Sequence, residues 1–110
     1  MGFRSEREGN ICYVFLSGSL DAQVADSVET AFITLLEKER TIIVDCSEMR
    51  FLSSSGMRAL LVAIKESEKR KSRLLFYGFS EEVAHILEMA GLLKRFNHFA
   101  TKEEALKKTS

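Results

Sequence analysis

The sequence is poor in the residues that build metal sites and disulfide frameworks. Among its 110 residues there are two cysteines, Cys12 and Cys46, and there is no proline and no tryptophan. The two cysteines are too few and too far apart for a metal knuckle or a set of disulfides. Each lies in an apolar run, where a free cysteine packs as a small hydrophobe. We therefore expect no metal and no disulfide, as in a protein of a reducing compartment.

The sequence also lacks an excess of charge of either sign. Its 16 lysines and arginines balance its 16 aspartates and glutamates, so the formal net charge is zero. The richest basic stretch, residues 65–73, is interrupted by Glu66 and Glu68, which is typical of the solvated end of a helix. We therefore expect no nucleic acid and no anionic membrane surface as a partner.

Long hydrophobic runs are absent. The first ten residues carry charges where a secretory signal peptide has its apolar segment. The longest apolar stretches are much shorter than the roughly 20 residues that a membrane-spanning helix needs. We expect a soluble, cytoplasmic protein without a membrane segment.

The composition that remains is that of one small globular domain spanning residues 1–110. Hydrophobic residues make up 45% of the chain and charged residues 29%. No repeat, low-complexity tract or linker divides the sequence, and its length supports a single packed core.

Short strand patterns alternate with helical periodicity along the chain. Residues 3–7 and 11–16 predict two strands joined by a tight turn at residues 8–10. The first strand is polar and is expected at the edge of a sheet. A helix over about residues 22–39 follows, and residues 41–46 form a β-branched run without alternation, which is typical of a central strand.

The second half of the chain continues this alternation. Apolar residues over 57–64 have helical spacing, and residues 73–79 predict the next strand. Ser80 is the expected cap of a third helix, which Gly91 ends. Residues 94–99 contain a last short strand.

A capping box formed by Thr101 and Glu104 predicts a C-terminal helix. The predicted order is therefore ββαβαβαβα, in which strands separated by helices run parallel. This is an α/β domain with a mixed, mostly parallel sheet, an N-terminal hairpin and about four helices, lying mainly on one face.

Three consecutive hydroxyl side chains, Ser53, Ser54 and Ser55, stand directly before Gly56. In parallel α/β sheets, sites gather where strands end and the next helices begin. We expect the preceding strand to end near Cys46 and to lead through a loop into a helix that starts close to Ser53. One serine would suffice as a cap, and glycine is a poor helix former. Two interpretations stay open, simple capping or a turn whose backbone something approaches closely.

Three chemical roles compete for this turn. Anion binding at the helix N-terminus is weakly supported because the spaced glycines and the lysine of a nucleotide-binding loop are missing. A serine nucleophile needs a base, but the only histidines, His85 and His98, have sequence surroundings typical of ordinary residues, and no G-x-S-x-G pattern occurs. Phosphorylation of a serine would add nearly two negative charges and prevent docking of another protein, with no catalysis by this chain.

Three segments resemble the STAS domains of bacterial anti-sigma factor antagonists. They are residues 16–22 (LSGSLDA), 41–61 (TIIVDCSEMRFLSSSGMRALL) and 84–96 (AHILEMAGLLKRF). Members of that family bind an anti-sigma factor and thereby release its sigma factor. The resemblance covers nearly the whole chain and implies the same fold and a role in protein binding.

In that family the turn has the pattern Asp-Ser-Ser/Thr-Gly-Leu, and the serine directly after the aspartate is phosphorylated. The resemblance places Ser53 at the aspartate position, Ser54 at the phosphorylated position and Ser55 at the second hydroxyl. Gly56 matches the glycine and Met57 the exposed apolar residue. Because position 53 lacks the carboxylate, two alternatives stay open, phosphorylation of Ser55 or no modification.

The resemblance also implies a partner surface near this turn. Its expected residues are Asp21, Ser53, Ser54, Ser55, Gly56, Met57 and Arg58. The local sequence leaves other roles open, namely Asp21 as the N-cap of the first helix and Met57 as part of the buried helix stripe.

The implied partners are an anti-sigma factor, which is a serine kinase that uses ATP, and a serine phosphatase. The chain itself is expected to bind no cofactor and to be a monomer or a weak dimer. A different class of function stays open as well, because STAS-like domains also act as scaffolds or as modules that bind small ligands or nucleotides without a phosphorylation cycle.

Overall fold

The computed structural model describes residues 1–109. Its strands are β1 (Gly2–Glu8), β2 (Ile11–Leu20), β3 (Thr41–Leu52), β4 (Arg73–Tyr77) and β5 (His98–Phe99). Its helices are α1 (Ala25–Leu36), α2 (Ser54–Lys69), α3 (Glu81–Met89) and α4 (Lys102–Lys107), and a 3-10 helix at Leu93–Arg95 precedes β5.

The strands form one sheet in the order β1-β2-β3-β4-β5. β1 and β2 pair antiparallel, and every later pair of neighbours is parallel. A helix lies in each connection between parallel strands, as a crossover requires. The predicted α/β class, with its N-terminal hairpin, mostly parallel sheet and four helices, is confirmed.

The helices divide unequally between the two faces of the sheet. The larger core joins one face to α1, α2 and α3 through residues such as Phe32, Leu60 and Leu87. On the other face, Ala105 of α4 packs in a smaller core that includes Tyr13. Since α4 has only six residues, it covers only part of its face.

Helices α3 and α4 begin where the sequence places cap residues. The Ser80 hydroxyl accepts a hydrogen bond from the Val83 N–H at 3.1 Å, and Thr101 Oγ1 accepts one from the Glu104 N–H at 3.2 Å. The Glu104 carboxylate reaches back to the Ala100 N–H at 3.0 Å. These bonds satisfy amide groups that have no partner within the helix, and both predicted caps are confirmed.

Two helices end in the same backbone motif. After α3, Gly91 has a φ of 73° and its N–H donates to the Glu88 carbonyl. The next N–H, of Leu92, donates to the Leu87 carbonyl at 2.8 Å, which completes a Schellman motif. After α2 the left-handed position is taken by Lys71, with a φ of 57°. A side chain is strained in this conformation, whereas glycine is not.

β3 is much longer than predicted. Residues 47–52 continue the strand and do not form the expected loop. The pairing of β3 with β2 shifts at two places, and each shift inserts one extra residue into β3, as in a β-bulge. Buried residues in this stretch are consequently three positions apart, at Cys46, Met49 and Leu52. The alternation that marks a strand is therefore lost.

Both cysteines are free and buried in the larger core. Burial raises the pKa of the Cys46 thiol and of the Cys12 thiol, and the nearby Glu39 carboxylate raises that of Cys12 further. The two side chains pack as small hydrophobes.

Within residues 1–109, no helix has both the length and the apolar character needed to span a membrane. The same residues form no cluster of three or more histidine, cysteine, aspartate or glutamate side chains that could hold a metal ion.

Candidate functional site

The three serines lie where β2, β3 and α2 meet, at the carboxyl ends of two parallel strands. Leu20 and Leu52 are the last residues of β2 and β3 and are paired in the sheet. The N–H of Ser53 donates to the Leu20 carbonyl at 3.0 Å, and the Ser53 hydroxyl donates to the same oxygen at 3.2 Å. One residue therefore fastens the start of α2 to the sheet.

Ser53 is also the N-cap of α2. Its backbone is extended, with φ −85° and ψ 173°, and its hydroxyl oxygen accepts a hydrogen bond from the Gly56 N–H at 3.0 Å. Its carbonyl accepts the first helical bond, from the Met57 N–H at 2.8 Å. The hydroxyl of Ser53 thus both donates and accepts inside the protein. Capping accounts for Ser53 and leaves the next two serines unexplained.

Gly56 is buried against the end of β2. A Cβ atom at this position would lie 2.4 Å from the Leu20 carbonyl oxygen and 2.8 Å from Leu20 Cγ. The close approach that the glycine suggests is therefore made by the protein's own strand. A partner contact at Gly56 stays a prediction, because its burial is explained by packing.

Ser54 and Ser55 are the first two residues of α2. Ser54 is exposed, whereas Ser55 is half-buried. Their N–H groups have no acceptor within the helix, since the first four amides of an α-helix precede its hydrogen-bond ladder. No acidic side chain lies in the first turn of α2. The first turn of α2 itself therefore supplies no charge that compensates the positive end of the helix dipole, and added negative charge at Ser54 would be favourable for the helix.

Arg58 and Met57 complete the first turns of α2. Arg58 is exposed and lies four residues after Ser54, so the two side chains share a face of the helix. Met57 is half-buried and packs against the larger core. The sequence allowed two roles for Met57, an exposed partner contact or a buried residue of the helix stripe, and its exposure lies between the two.

Asp21 lies beside the serine turn because it directly follows Leu20. It is half-buried, and its Oδ1 accepts a hydrogen bond from the Gln23 N–H at 3.1 Å. The expectation that Asp21 is the N-cap of the first helix is wrong. α1 begins at Ala25, its cap position is Val24, and this cap makes no side-chain hydrogen bond. Asp21 instead caps the turn that precedes α1.

Phe51, two residues before Ser53, is an exposed aromatic residue that the sequence pattern does not predict; its exposed fraction is 48%. It pairs with Ser19 of β2, one residue before the Leu20 and Leu52 pair. Leu52 is buried in the larger core beneath α2, so alternation along the strand directs the neighbouring Phe51 toward the opposite face of the sheet. The exposure of Phe51 is hard to predict from the sequence, because the extra residues in β3 hide which face each side chain takes.

The contacts of the two histidines and those of the serine turn involve different residues. His85 and His98 are both exposed, and the ring of His98 lies 5.7 Å from that of Phe79. The hydroxyl of Ser53 bonds to backbone groups of Leu20 and Gly56. The side-chain hydrogen bonds of the turn thus serve structure and do not activate a nucleophile.

A second polar cluster lies on the face that α4 partly covers. The Tyr77 hydroxyl donates to Asp45 Oδ2 at 2.9 Å, and the N–H and hydroxyl of Ser47 donate to Asp45 Oδ1 at 2.9 Å and 2.6 Å. Burial raises the pKa of Tyr77, and its hydrogen bond to Asp45 raises it further. The carboxylate is fully engaged, so this cluster stabilises the strand ends.

Comparison with known proteins connects this geometry to one family. The family model of the STAS domain matches residues 3–105. The chain is 28% identical over 88 residues to the anti-sigma-B factor antagonist of Listeria monocytogenes, an alignment that covers 79% of this chain and 77% of that protein.

Solved structures show the same architecture. The anti-sigma factor antagonist SpoIIAA in its unphosphorylated form superposes with a TM-score of 0.81 at 24% identity, covering 98% of this chain and 96% of that one. An anti-sigma factor antagonist from Mycobacterium paratuberculosis gives a TM-score of 0.85 at 21% identity, with 97% and 92% covered. At these identities the similarity establishes the shared fold.

Proposed function

The chain belongs to the STAS domain family, and we propose that it is an anti-sigma factor antagonist that acts in the cytoplasm. It is a regulator and not an enzyme. The observation that carries the proposal is the exposure of Ser54 at the start of a helix whose cap is already supplied by Ser53. The Ser54 hydroxyl is thereby free for a partner.

We call the group formed by Asp21, Ser54, Met57 and Arg58 the docking surface. It combines a half-buried methionine with polar side chains around one exposed hydroxyl. The flexible methionine side chain adapts its shape to a partner. In its unmodified state this surface binds the anti-sigma factor, which then releases its sigma factor.

Phosphorylation of Ser54 is the proposed switch. The partner kinase transfers the γ-phosphoryl group of ATP to Ser54 Oγ, so that a new P–O bond forms, the bond to the β-phosphate breaks and ADP leaves. The hydroxyl proton passes to a base of the kinase. This chain holds no nucleotide in the cycle, and a serine phosphatase restores the hydroxyl by hydrolysis.

The phosphate changes binding through its charge. It adds close to two negative charges, and docking would remove them from water without a partner prepared for them. On the free protein, the amides at the start of α2 and the Arg58 guanidinium can donate hydrogen bonds to the phosphate. The modified state is therefore stabilised when free and disfavoured in the complex.

Ser54 is favoured over Ser55 as the modified residue because it is exposed while Ser55 is half-buried. Ser53, at the position where the family has an aspartate, supplies the cap but no charge. We infer that Ser54 remains the acceptor and that the kinase of this system does not require a carboxylate next to it.

The decisive experiment is a pull-down from cells of the source organism with the unmodified protein, followed by binding measurements with the kinase recovered. Ser54→Ala should bind with nearly unchanged affinity, and Ser54→Asp should bind at least about tenfold more weakly. Thr34→Asp, at an exposed position of α1, is the matched control for added charge and should bind normally.

Incubation with the recovered kinase and ATP, followed by peptide mass spectrometry, identifies the modified serine. Equal affinity of the alanine and aspartate variants would contradict the switch. Absence of any phosphate after incubation would instead favour a scaffold or a ligand-binding module.

A further inference from the structure

Within the described residues 1–109, the outer edge of β1 has no partner strand. β1 is the first strand of the sheet, and in this part of the chain it pairs with β2 alone. All of its residues are exposed except Phe3, which is half-buried and packs edge-on against Phe32 with ring centroids 5.2 Å apart. Seven residues of extended backbone are therefore available for pairing with another strand.

The hairpin turn decides which backbone groups face outward. Gly9 has a φ of 63° and Asn10 is not left-handed, as in a type II′ turn. In such a turn the Glu8 carbonyl accepts a hydrogen bond from the Ile11 N–H, so Glu8 faces β2. Bonded and non-bonded positions alternate along an antiparallel pair. The N–H and C=O groups of Phe3, Ser5 and Arg7 therefore face the free edge.

We propose that β1 is a dimer interface at which it pairs antiparallel with β1 of a second copy of this chain. The twofold axis passes between the two Ser5 residues, and Phe3 stands opposite Arg7 of the second copy. All outward backbone groups of both strands then find partners. The result is a continuous sheet across the two protomers.

The charged side chains of β1 favour this register over the neighbouring ones. With Ser5 opposite Ser5, Arg4 of each copy stands opposite Glu6 of the other, at a non-hydrogen-bonded pair, where side chains are closest. Opposite charges in directly facing positions stabilise paired strands. In one protomer Arg4 and Glu6 already form an ion pair on one face of β1, so the dimer joins two such pairs into a four-charge network.

Neighbouring registers are less favourable. A slip by two residues in one direction places Arg4 opposite Arg4, and a slip in the other direction places Glu6 opposite Glu6. Each slip also leaves outward backbone groups unpaired. Charged edge strands usually discourage pairing with other chains, but here the order of charges is complementary to itself.

The opposite face of β1 supports the same arrangement. Arg7 lies 3.7 Å from the buried Glu39 carboxylate through its Nε atom, and its side chain is 65% exposed. In the dimer this guanidinium approaches the ring of Phe3 in the second copy, where a cation favours an aromatic face. Both faces of the joined strands thus carry complementary pairs.

This interface is separate from the docking surface and does not depend on the proposed function. Because the twofold axis relates two antiparallel copies of β1, the carboxyl ends of the parallel strands point in opposite directions in the two protomers. A dimer would present its two copies of Ser54 at opposite ends.

The test is the mass of the untagged full chain in solution at several concentrations. Sedimentation equilibrium should show a shift from the 12.5 kDa monomer toward twice that mass as the concentration rises to about 1 mM, where weak association becomes populated. A monomer over the whole range would overturn the proposal.

Charge reversals test the register. Arg4→Glu and Glu6→Arg should each weaken self-association by about tenfold or more, because each creates facing like charges. An equimolar mixture of the two variants should recover dimers, which are mixed and detectable by native mass spectrometry. Failure of the mixture to associate would overturn the register.

Glu8→Arg is the matched control, because it makes the same charge change on the same strand but faces Gly2 of the second copy. It should dimerise as the unaltered protein does, and equal loss of association in Glu8→Arg and Glu6→Arg would overturn the proposal. Ser5→Pro removes an outward N–H that the monomer does not use. It should be monomeric with an unchanged circular dichroism spectrum, and a Ser5→Pro dimer would also overturn the proposal.

Discussion

Gly56 and Leu20 are in such close contact that no side chain fits between them. A Cβ atom on residue 56 would lie 2.4 Å from the Leu20 carbonyl oxygen, and that oxygen is already held by two hydrogen bonds from Ser53. These hydrogen bonds therefore oppose any movement of the start of α2 away from β2.

The variant Gly56→Ala should consequently destabilise the protein. We expect a loss of about 2–3 kcal/mol in the free energy of unfolding, as found for overpacking of a tight contact. Urea denaturation measures it. Ser54→Ala, two residues earlier on the exposed side, is the control and should change stability by less than about 0.5 kcal/mol. A Gly56→Ala protein as stable as the control would refute the packing argument.

Ser53→Ala should cost about 1–2 kcal/mol, because it removes the cap of α2 and one hydrogen bond to Leu20. Ser53→Asp keeps an acceptor for the Gly56 N–H but offers no donor to the Leu20 carbonyl, so it should recover only the capping part of that loss. The comparison of the two variants by thermal and urea unfolding separates the cap from other roles of Ser53. If both variants are equally destabilised, the capping bond is not the main contribution.

Lys71 occupies a left-handed position that glycine would take without strain. Lys71→Gly should therefore raise the free energy of unfolding by about 1 kcal/mol. Lys69→Gly, in the last turn of α2, is the control and should lower it, since glycine weakens a helix interior. A loss of stability in Lys71→Gly would mean that its side chain makes contacts that outweigh the strain.

Ser54→Asp should affect stability and binding in opposite directions. An acid at the first position of α2 interacts favourably with the helix dipole and with Arg58, which should add about 0.5–1 kcal/mol to the free energy of unfolding. In the background of Arg58→Ala the gain should shrink, and it should fall with salt. A destabilised Ser54→Asp protein would contradict the account of how the phosphate is held.

The cysteines should be unreactive in the folded protein. Burial raises the pKa of Cys12 and Cys46, so both are protonated at about pH 8, where a free thiol begins to ionise. A thiol reagent should label them slowly in buffer and rapidly in urea. Fast labelling of the native protein would show that one of them is accessible.

The same raised pKa values predict how stability depends on pH. A thiol whose pKa is higher in the folded state keeps its proton there longer than in the unfolded chain. Its contribution to stability is complete below about pH 8.5 and declines as the pH rises above that value. Urea unfolding at several alkaline pH values measures this decline, and a constant midpoint would contradict it.

The order of the elements could be predicted because each one carries its own local signal. The apolar stripe of α2, the cap at Ser80 and the glycine at position 91 each depend on residues close in sequence. Local chemistry was sufficient at those places, and the parallel direction of the later strands followed from the helices between them.

What could not be predicted depends on contacts between distant residues. The length of β3 is set by its pairing with β2, and the extra residues in β3 remove the alternation that would reveal it. The reason for Gly56 lies in Leu20, 36 residues earlier in the printed sequence. The exposure of Phe51 depends on the same bulges and could not be predicted from its neighbours in sequence.

The anchoring of α2 to β2 by Ser53 has a consequence for the proposed switch. Since the backbone at the start of the helix is held by hydrogen bonds to Leu20 and Gly56, we expect a modification at Ser54 to leave the backbone in place. A partner would then distinguish the two forms by electrostatic potential alone. The speed of such a signal is limited by enzyme turnover and not by any rearrangement of the polypeptide.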